Sequence, residues 1–514
     1  MRKISDSSER KIGAILSYAQ IALSSLITLL YTPFMLRVLG QSEYGLYGTV
    51  NSFVGLLGLL NLGFSASYIR FYSLYKSKNE EEKIHSFNAM FTTVFAVIAL
   101  LSIIIGGFFS FHLKLVFDQG LNSDELVKAR TMMLLLTLST GFNFLVTVFG
   151  CFIYANQKFV LTKTIGLISS VLTFSSNVAV LKLGNGAIGL VVVSVVITTC
   201  VQIFYIIYSY KALHFRFDFR HMEKRVFKDV LMFSGLIAIN IFVDKVNSGI
   251  DAIILGRYCG TAVVAVYTVG ASLNSHFLGF STAISGVFTP RVHELVNAYE
   301  MDSKEQRNAL TAFFVKVGRI QYLLMALLAS GVVFFGKPFI RIWAGEGYEE
   351  AYYIALVMIL PSIVPLTQNV GIEIQRAENR HHYRSYIYGA MAILNLIISV
   401  YLAKRIGALG AAIGTGIACI LSTIIIMNVI YQKKINIDVA VYWKNIGGQT
   451  LGMIIPFTVG FVIMKFAVIS DVFSLVLWIT IYSVIYVVFA WFFSTNQSER
   501  ELLLSPIKKI LHRS

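Results

Sequence analysis

Asn240, Asp244, Asn247 and Asp251 recur at i, i+4, i+7 and i+11 in an otherwise apolar stretch. At about 100° per residue they fall within about 40° of one line along a helix. Two carboxylates on such a stripe are costly against hydrocarbon, so the stripe is expected to face a bundle interior or a water-filled cavity. There an Asp that changes protonation, or that binds a cation, can couple movement to a proton or sodium gradient; the structural alternative is buried hydrogen bonding between helices. Lys245 is adjacent in sequence and so points away from the centre of that face. It suits an anionic diphosphate or an ion pair with a neighbouring helix. His276 is a candidate proton carrier or a satisfied core histidine. Lys316 and Arg319 are three residues apart and share a face. They offer a basic mouth for a diphosphate or snorkel toward lipid headgroups.

Small residues also form faces. Thr268, Ser272, Ser275, Gly279, Thr282 and Gly286 are spaced by threes and fours, as are Gly48, Asn51, Gly55 and Gly58. Such faces ordinarily admit a second helix at close range. The alternative is room for a bulky headgroup. Pro361 and Pro365 interrupt one apolar stretch and predict a kink or hinge there. No GxxxxGK[ST], HExxH, GxSxG or Asp-x-Asp signature is present, and the four cysteines form no CxxC pair or Cys/His cluster. Neither a catalytic role nor a cofactor is expected.

The elements that must carry these residues follow from composition. Of 514 residues, 56% are hydrophobic and only 14% charged, and mean hydropathy is +0.71. A soluble protein with this balance would lack polar groups to face water. Runs of about 20 apolar residues, each enough to cross a bilayer, number about fourteen. They lack two-residue alternation and are read as helices. The first is too long for a cleaved signal peptide and is expected to remain as an anchor. Of the 43 Lys and Arg, 31 fall on the N-terminal tail, every second connection and the C-terminal tail. The intervening connections hold 11, and Lys245 lies within a span. This bias predicts both termini on the cytoplasmic side. The net charge of +16 is spread over short loops, which suits anionic lipid headgroups and excludes a nucleic-acid partner.

The halves of the chain echo each other. Leu39-Gly40 and Gly63-Phe64-Ser65 recur as Leu255-Gly256 and Gly279-Phe280-Ser281, offset by 216. Ala155-Asn156-Gln157-Lys158 and Gly186-Ala187-Ile188-Gly189 match Ala377-Glu378-Asn379-Arg380 and Gly407-Ala408-Leu409-Gly410. Each offset covers six spans, an even number, so both copies enter the membrane from one side and form a parallel repeat. The expected fold is an all-α integral membrane protein. An N-lobe (1–214, helices 1–6) and a C-lobe (215–435, helices 7–12) enclose a central cavity, followed by helices 13–14 and a cytoplasmic tail (436–514).

The fourteen spans, the parallel six-helix repeat and the segment TPFMLRVLGQSEYGLYGTVNSFVGLLGLLNLGFSASYIRFYS at residues 32–73 resemble the polysaccharide-biosynthesis flippases of the MATE-like exporter superfamily. The resemblance implies an alternating-access flippase carrying undecaprenyl-diphosphate-linked oligosaccharide across the bacterial inner membrane. It implies membrane lipids and polysaccharide polymerase machinery as partners. A MATE-type cation antiporter is the second reading and a membrane polymerase or ligase the third.

Overall fold

A computed structural model describes residues 6–117, 120–219, 224–497 and 499–501. Every element among them is helical, as a water-poor solvent demands of any open chain. The chain packs into two compact units, residues 1–265 and 266–514.

The first unit holds α1 (Asp6–Leu57), α2 (Phe64–Ser77), α3 (Glu81–Phe111), the single turn α4 (Leu113–Val116), α5 (Ser123–Ala155), α6 (Phe159–Lys182), α7 (Gly186–Lys211) and α8 (Lys224–Tyr258). α1 is two helices joined at Gly40, whose φ of 71° only glycine adopts freely. Predicted span 2 is not continuous. It breaks after Leu57 into one tight turn, then passes Leu62 and Gly63, both left-handed, before α2 begins. Asn122 and Glu125 cap α5 reciprocally, satisfying two orphan amides at its start. α2 and α3 are joined by an aromatic ladder in which Tyr68 stacks on Tyr72 at 5.7 Å and Phe87 meets Phe91 at 4.7 Å.

α9 (Thr261–Ala298) begins in the first unit and continues into the second. It is followed by α10 (Lys304–Trp343), α11 (Glu350–Thr367), α12 (Asn369–Ala377), α13 (His382–Cys419), α14 (Met427–Lys434), α15 (Val439–Leu451), α16 (Ile454–Phe466) and α17 (Val472–Phe489). α13 folds back on itself at Ile406 and Gly407, where φ is −132° and 61°. Its two arms touch: Ser399 Oγ donates to the Ala411 carbonyl at 3.2 Å. A loosely wound segment, Ile420–Ile426, links α13 to α14.

Ten helices among the described residues are long and apolar enough to cross a membrane, and the bent pair α15–α16 makes up to eleven. Two of the ten, Ala19–Ser77 and His382–Lys434, run 59 and 53 residues. Each is more than twice what a crossing of about 20 residues requires. α8, which carries the polar stripe, is also long enough to cross at 35 residues. Fourteen crossings are consistent with this arrangement.

Positive-φ residues fall at or between helix junctions at Gly40, Asn79, Gln157, Gly186 and His214. A second series follows at Gly260, Asp302, Asn379, Gly407 and Asn436. The pairs are separated by 220, 223, 222, 221 and 222 positions. Non-glycine residues enter this region rarely, and Asn, Asp and His do so most readily. Two of the sequence matches take a different role. Leu255-Gly256 does not open the eighth span, because α8 runs on to Tyr258 and the turn falls at Gly260. Gly256 serves close approach instead: a Cβ there would lie 2.7 Å from the Thr49 methyl. Gly63 is left-handed, whereas Gly279 lies inside α9.

Candidate functional site

α8 carries the predicted stripe and is seated on α1 and α2 by glycines. A Cβ on Gly63 would sit 2.8 Å from the Ile237 side chain, and one on Gly256 of α8 would sit 2.7 Å from the Thr49 methyl of α1. Ser67 and Ser234 share a hydrogen bond of 2.6 Å between α2 and α8. Asp251 is 3% exposed, so a carboxylate is held inside this helical unit. The side chains of Asn240, Asp244 and Asn247 lie outside the described residues. Lys245 is exposed.

Among the described residues, a Cβ at Gly55, Gly58, Gly279 or Gly286 would meet nothing within 4 Å. Ser275 and Thr282 are exposed on the same face of α9 and turn their hydroxyls onto Ala271 and Gly279 carbonyls of their own helix. Gly55 and Gly58, at the end of α1 and in the turn after it, are half-buried, whereas Gly279 and Gly286 are exposed on α9. His276, also on α9, is half-buried.

The basic candidates divide. Lys316 is exposed on α10. Arg319 is held in a two-pronged ion pair with Glu499, at 2.5 and 3.1 Å, and donates further to the Ser494 and Asn445 carbonyls at 2.9 and 3.2 Å. Its guanidinium thus ties α10 to α15 and to the segment after α17. Arg376 pairs with Glu373 at 2.7 Å.

Several polar clusters were not legible in the sequence. Ser42 and Thr261 both hydrogen-bond Glu125, while Glu43 accepts the Ala187 amide at 2.8 Å and pairs with Lys128 at 3.3 Å. The family-like segment around residues 39–45 thus knots the starts of α5, α7 and α9. In the second unit, Arg380 grips Asp302 by two bonds of 2.9 and 2.6 Å and donates to the Lys434 carbonyl at 2.7 Å. Asn436 adds a 2.8 Å bond to Asp302. Three left-handed turns are therefore stitched together. Burial raises the nearby Glu378 carboxyl to about 7, with Arg380 pulling it down and Asp302 pushing it up. Within α13, Asn395, Ser399, Thr415 and the Ala411 carbonyl bond one another. Among the described residues no three His, Cys, Asp or Glu gather as metal ligands.

The sequence profile of the family described as polysaccharide biosynthesis protein matches residues 11–296. The chain belongs to this family. A Shigella flexneri protein named for O-antigen transport is 21% identical over 79% of this chain and 94% of its own length. The Bacillus subtilis membrane protein EpsK is 20% identical over 95% and 96%. Among solved structures, the lipid II flippase MurJ in an inward closed conformation superimposes with a TM-score of 0.74 at 17% identity, covering 96% of this chain and 99% of its own. The multidrug transporter DinF-BH reaches 0.58 at 14% identity, covering 83% and 96%. The fold of this multispan family member is thus of the MurJ and MATE kind, as its sequence suggested.

Proposed function

We propose that the chain is a flippase for polyprenyl-diphosphate-linked oligosaccharides, feeding surface polysaccharide synthesis. It is a transporter rather than an enzyme. It resides in the bacterial inner membrane with both termini cytoplasmic and works by alternating access. The observation that carries this reading is membership of the polysaccharide biosynthesis family in a chain built as a repeated helical bundle. The small-residue faces of α1 and α9 suit a bulky polar head, which needs a wet path, while a polyprenyl tail loses energy by leaving hydrocarbon. Coupling to a proton or sodium gradient gives the α8 carboxylates a role. Lipids, and downstream polymerase machinery, are its partners.

The test is a headgroup-accessibility assay in reconstituted vesicles holding the lipid-linked oligosaccharide. Wild type is expected to expose the head on the opposite leaflet. Asp244→Asn and Asp251→Asn are each expected to slow this about tenfold or more, while inserting normally. Full activity in both variants would remove the stripe from the mechanism. The MATE-like fold supports a cation antiporter as a second reading, and uptake of a cationic dye without flipping would favour it.

A further inference from the structure

A cavity of about 390 Å³ opens within the first unit between α5, α6 and α7. It is as large as many small-molecule sites, which run from about 300 to 1,000 Å³. Its three helices are all among the apolar spans, and α7 packs on both others. Yet Asn143, Thr147, Ser169, Thr198 and Gln202 line it, with Tyr205 at one side. No Asp, Glu, Lys, Arg or His belongs to the lining, which excludes a diphosphate as occupant.

Gln202 is 4% exposed, and among the described residues neither its amide nitrogen nor its oxygen has a hydrogen-bond partner. A buried amide left so in a bilayer is costly, and retaining one points to a partner that arrives from outside the chain. The terminal amide torsion is soft, so a small rotation turns either atom toward the void. Thr147 and Ser169 spend their protons on the Asn143 and Gly166 carbonyls of their own helices, at 2.8 and 3.0 Å. Their oxygens remain acceptors, while the Asn143 and Gln202 amides supply donors as well. Mixed donors and acceptors without charge, beside an aromatic ring, match a sugar, whose hydroxyls both give and accept and whose C–H face is apolar.

We propose that the α5–α6–α7 cavity is a binding site for an uncharged, hydroxylated headgroup of about monosaccharide size, separate from the α8 stripe. Two sources share that chemistry: a sugar of the lipid-linked oligosaccharide, which rests on the flippase reading, and a neutral glycolipid of the bilayer.

The test uses the full chain in vesicles, with a photoactivatable octyl glucoside and a chain-matched photoactivatable phosphocholine as probes. The glucoside is expected to mark peptides of α5 and α7, and the phosphocholine to mark them weakly. Gln202→Leu, of similar volume, is expected to lower glucoside labelling about tenfold, the size of one or two lost hydrogen bonds. Thr198→Val, an isosteric change with less risk to folding, is expected to lower it about threefold. Competition by added lipid-linked oligosaccharide assigns the transported sugar, and competition by digalactosyl diacylglycerol assigns the bilayer. Equal labelling by both probes, or glucoside labelling unchanged in both variants, overturns the proposal and leaves a cavity filled by water or acyl chain. Labelling is read without transport, so a failed flipping assay would strike the flippase reading and leave this site standing.

Discussion

Single side chains set the limits of what this sequence declares. Asp251 announces itself, because a carboxylate inside an apolar run is expensive anywhere but indoors, and it is buried. Arg319 does not, because its role depends on Glu499, 180 positions away. A lone interfacial arginine reads alike whether it meets headgroups or a buried acid. Glu378 is equally silent in sequence: its carboxyl is nearly buried and lies 3.6 Å from Arg380, which is already engaged with Asp302. Burial raises it from 4.5 to about 7, so the folded chain holds a proton there that the unfolded chain releases. Stability from this group is full below 4.5 and is lost as pH rises through about 7. In detergent, the melting temperature of wild type is expected to fall more steeply between about pH 5.5 and 8 than that of Glu378→Gln. Parallel slopes would count against this assignment.

At the level of helices, composition located the spans but not their interruptions. Pro361 and Pro365 predicted a hinge, and the break arrives just downstream at Gln368, between α11 and α12. What the prolines cannot reveal is how the break is held. Ser281 donates to the Leu366 carbonyl at 3.0 Å, and Thr367 meets the Tyr442 hydroxyl at 2.6 Å. Gln368 and Trp443 both donate to Asn428, at 3.0 and 3.2 Å, and Asn428 in turn donates to the Ile424 carbonyl of the loosely wound segment at 2.8 Å. Two irregular stretches are therefore joined through one amide. Asn428→Leu would strand the buried donor on Gln368, at a cost of about 1–3 kcal/mol, and would release the exposed Trp443 indole. A lower melting temperature and faster proteolysis near Gln368 are the expected result. Unchanged melting would mean that the break holds without this amide.

For the molecule as a whole, the paired motifs in sequence predict a doubled architecture, and the bias of Lys and Arg predicts the side on which the termini lie. The turns make the doubling sharper than the motifs did. A match such as Leu39-Gly40 with Leu255-Gly256 is a likeness of letters, while Gly40 with Gly260 is a likeness of backbone. The sequence could not separate them, since glycine serves both close approach and left-handed turns. If the doubling is parallel, equivalent turns share a side. Single cysteines placed at Asn79 and Asp302 in a cysteine-free background are expected to resist an impermeant maleimide in intact cells. One at Gly345, a turn away, is expected to react. Opposite behaviour at Asn79 and Asp302 would refute the parallel arrangement.

Those recurring left-handed turns also bear on ancestry. With six helices per copy, as the sequence predicts, the chain would return to the face from which it set out. A gene copied in tandem could then be read through as one polypeptide with no extra crossing and no inverted second half. On that division the seam of such a fusion would fall between α7, which ends at Lys211, and α8, which begins at Lys224.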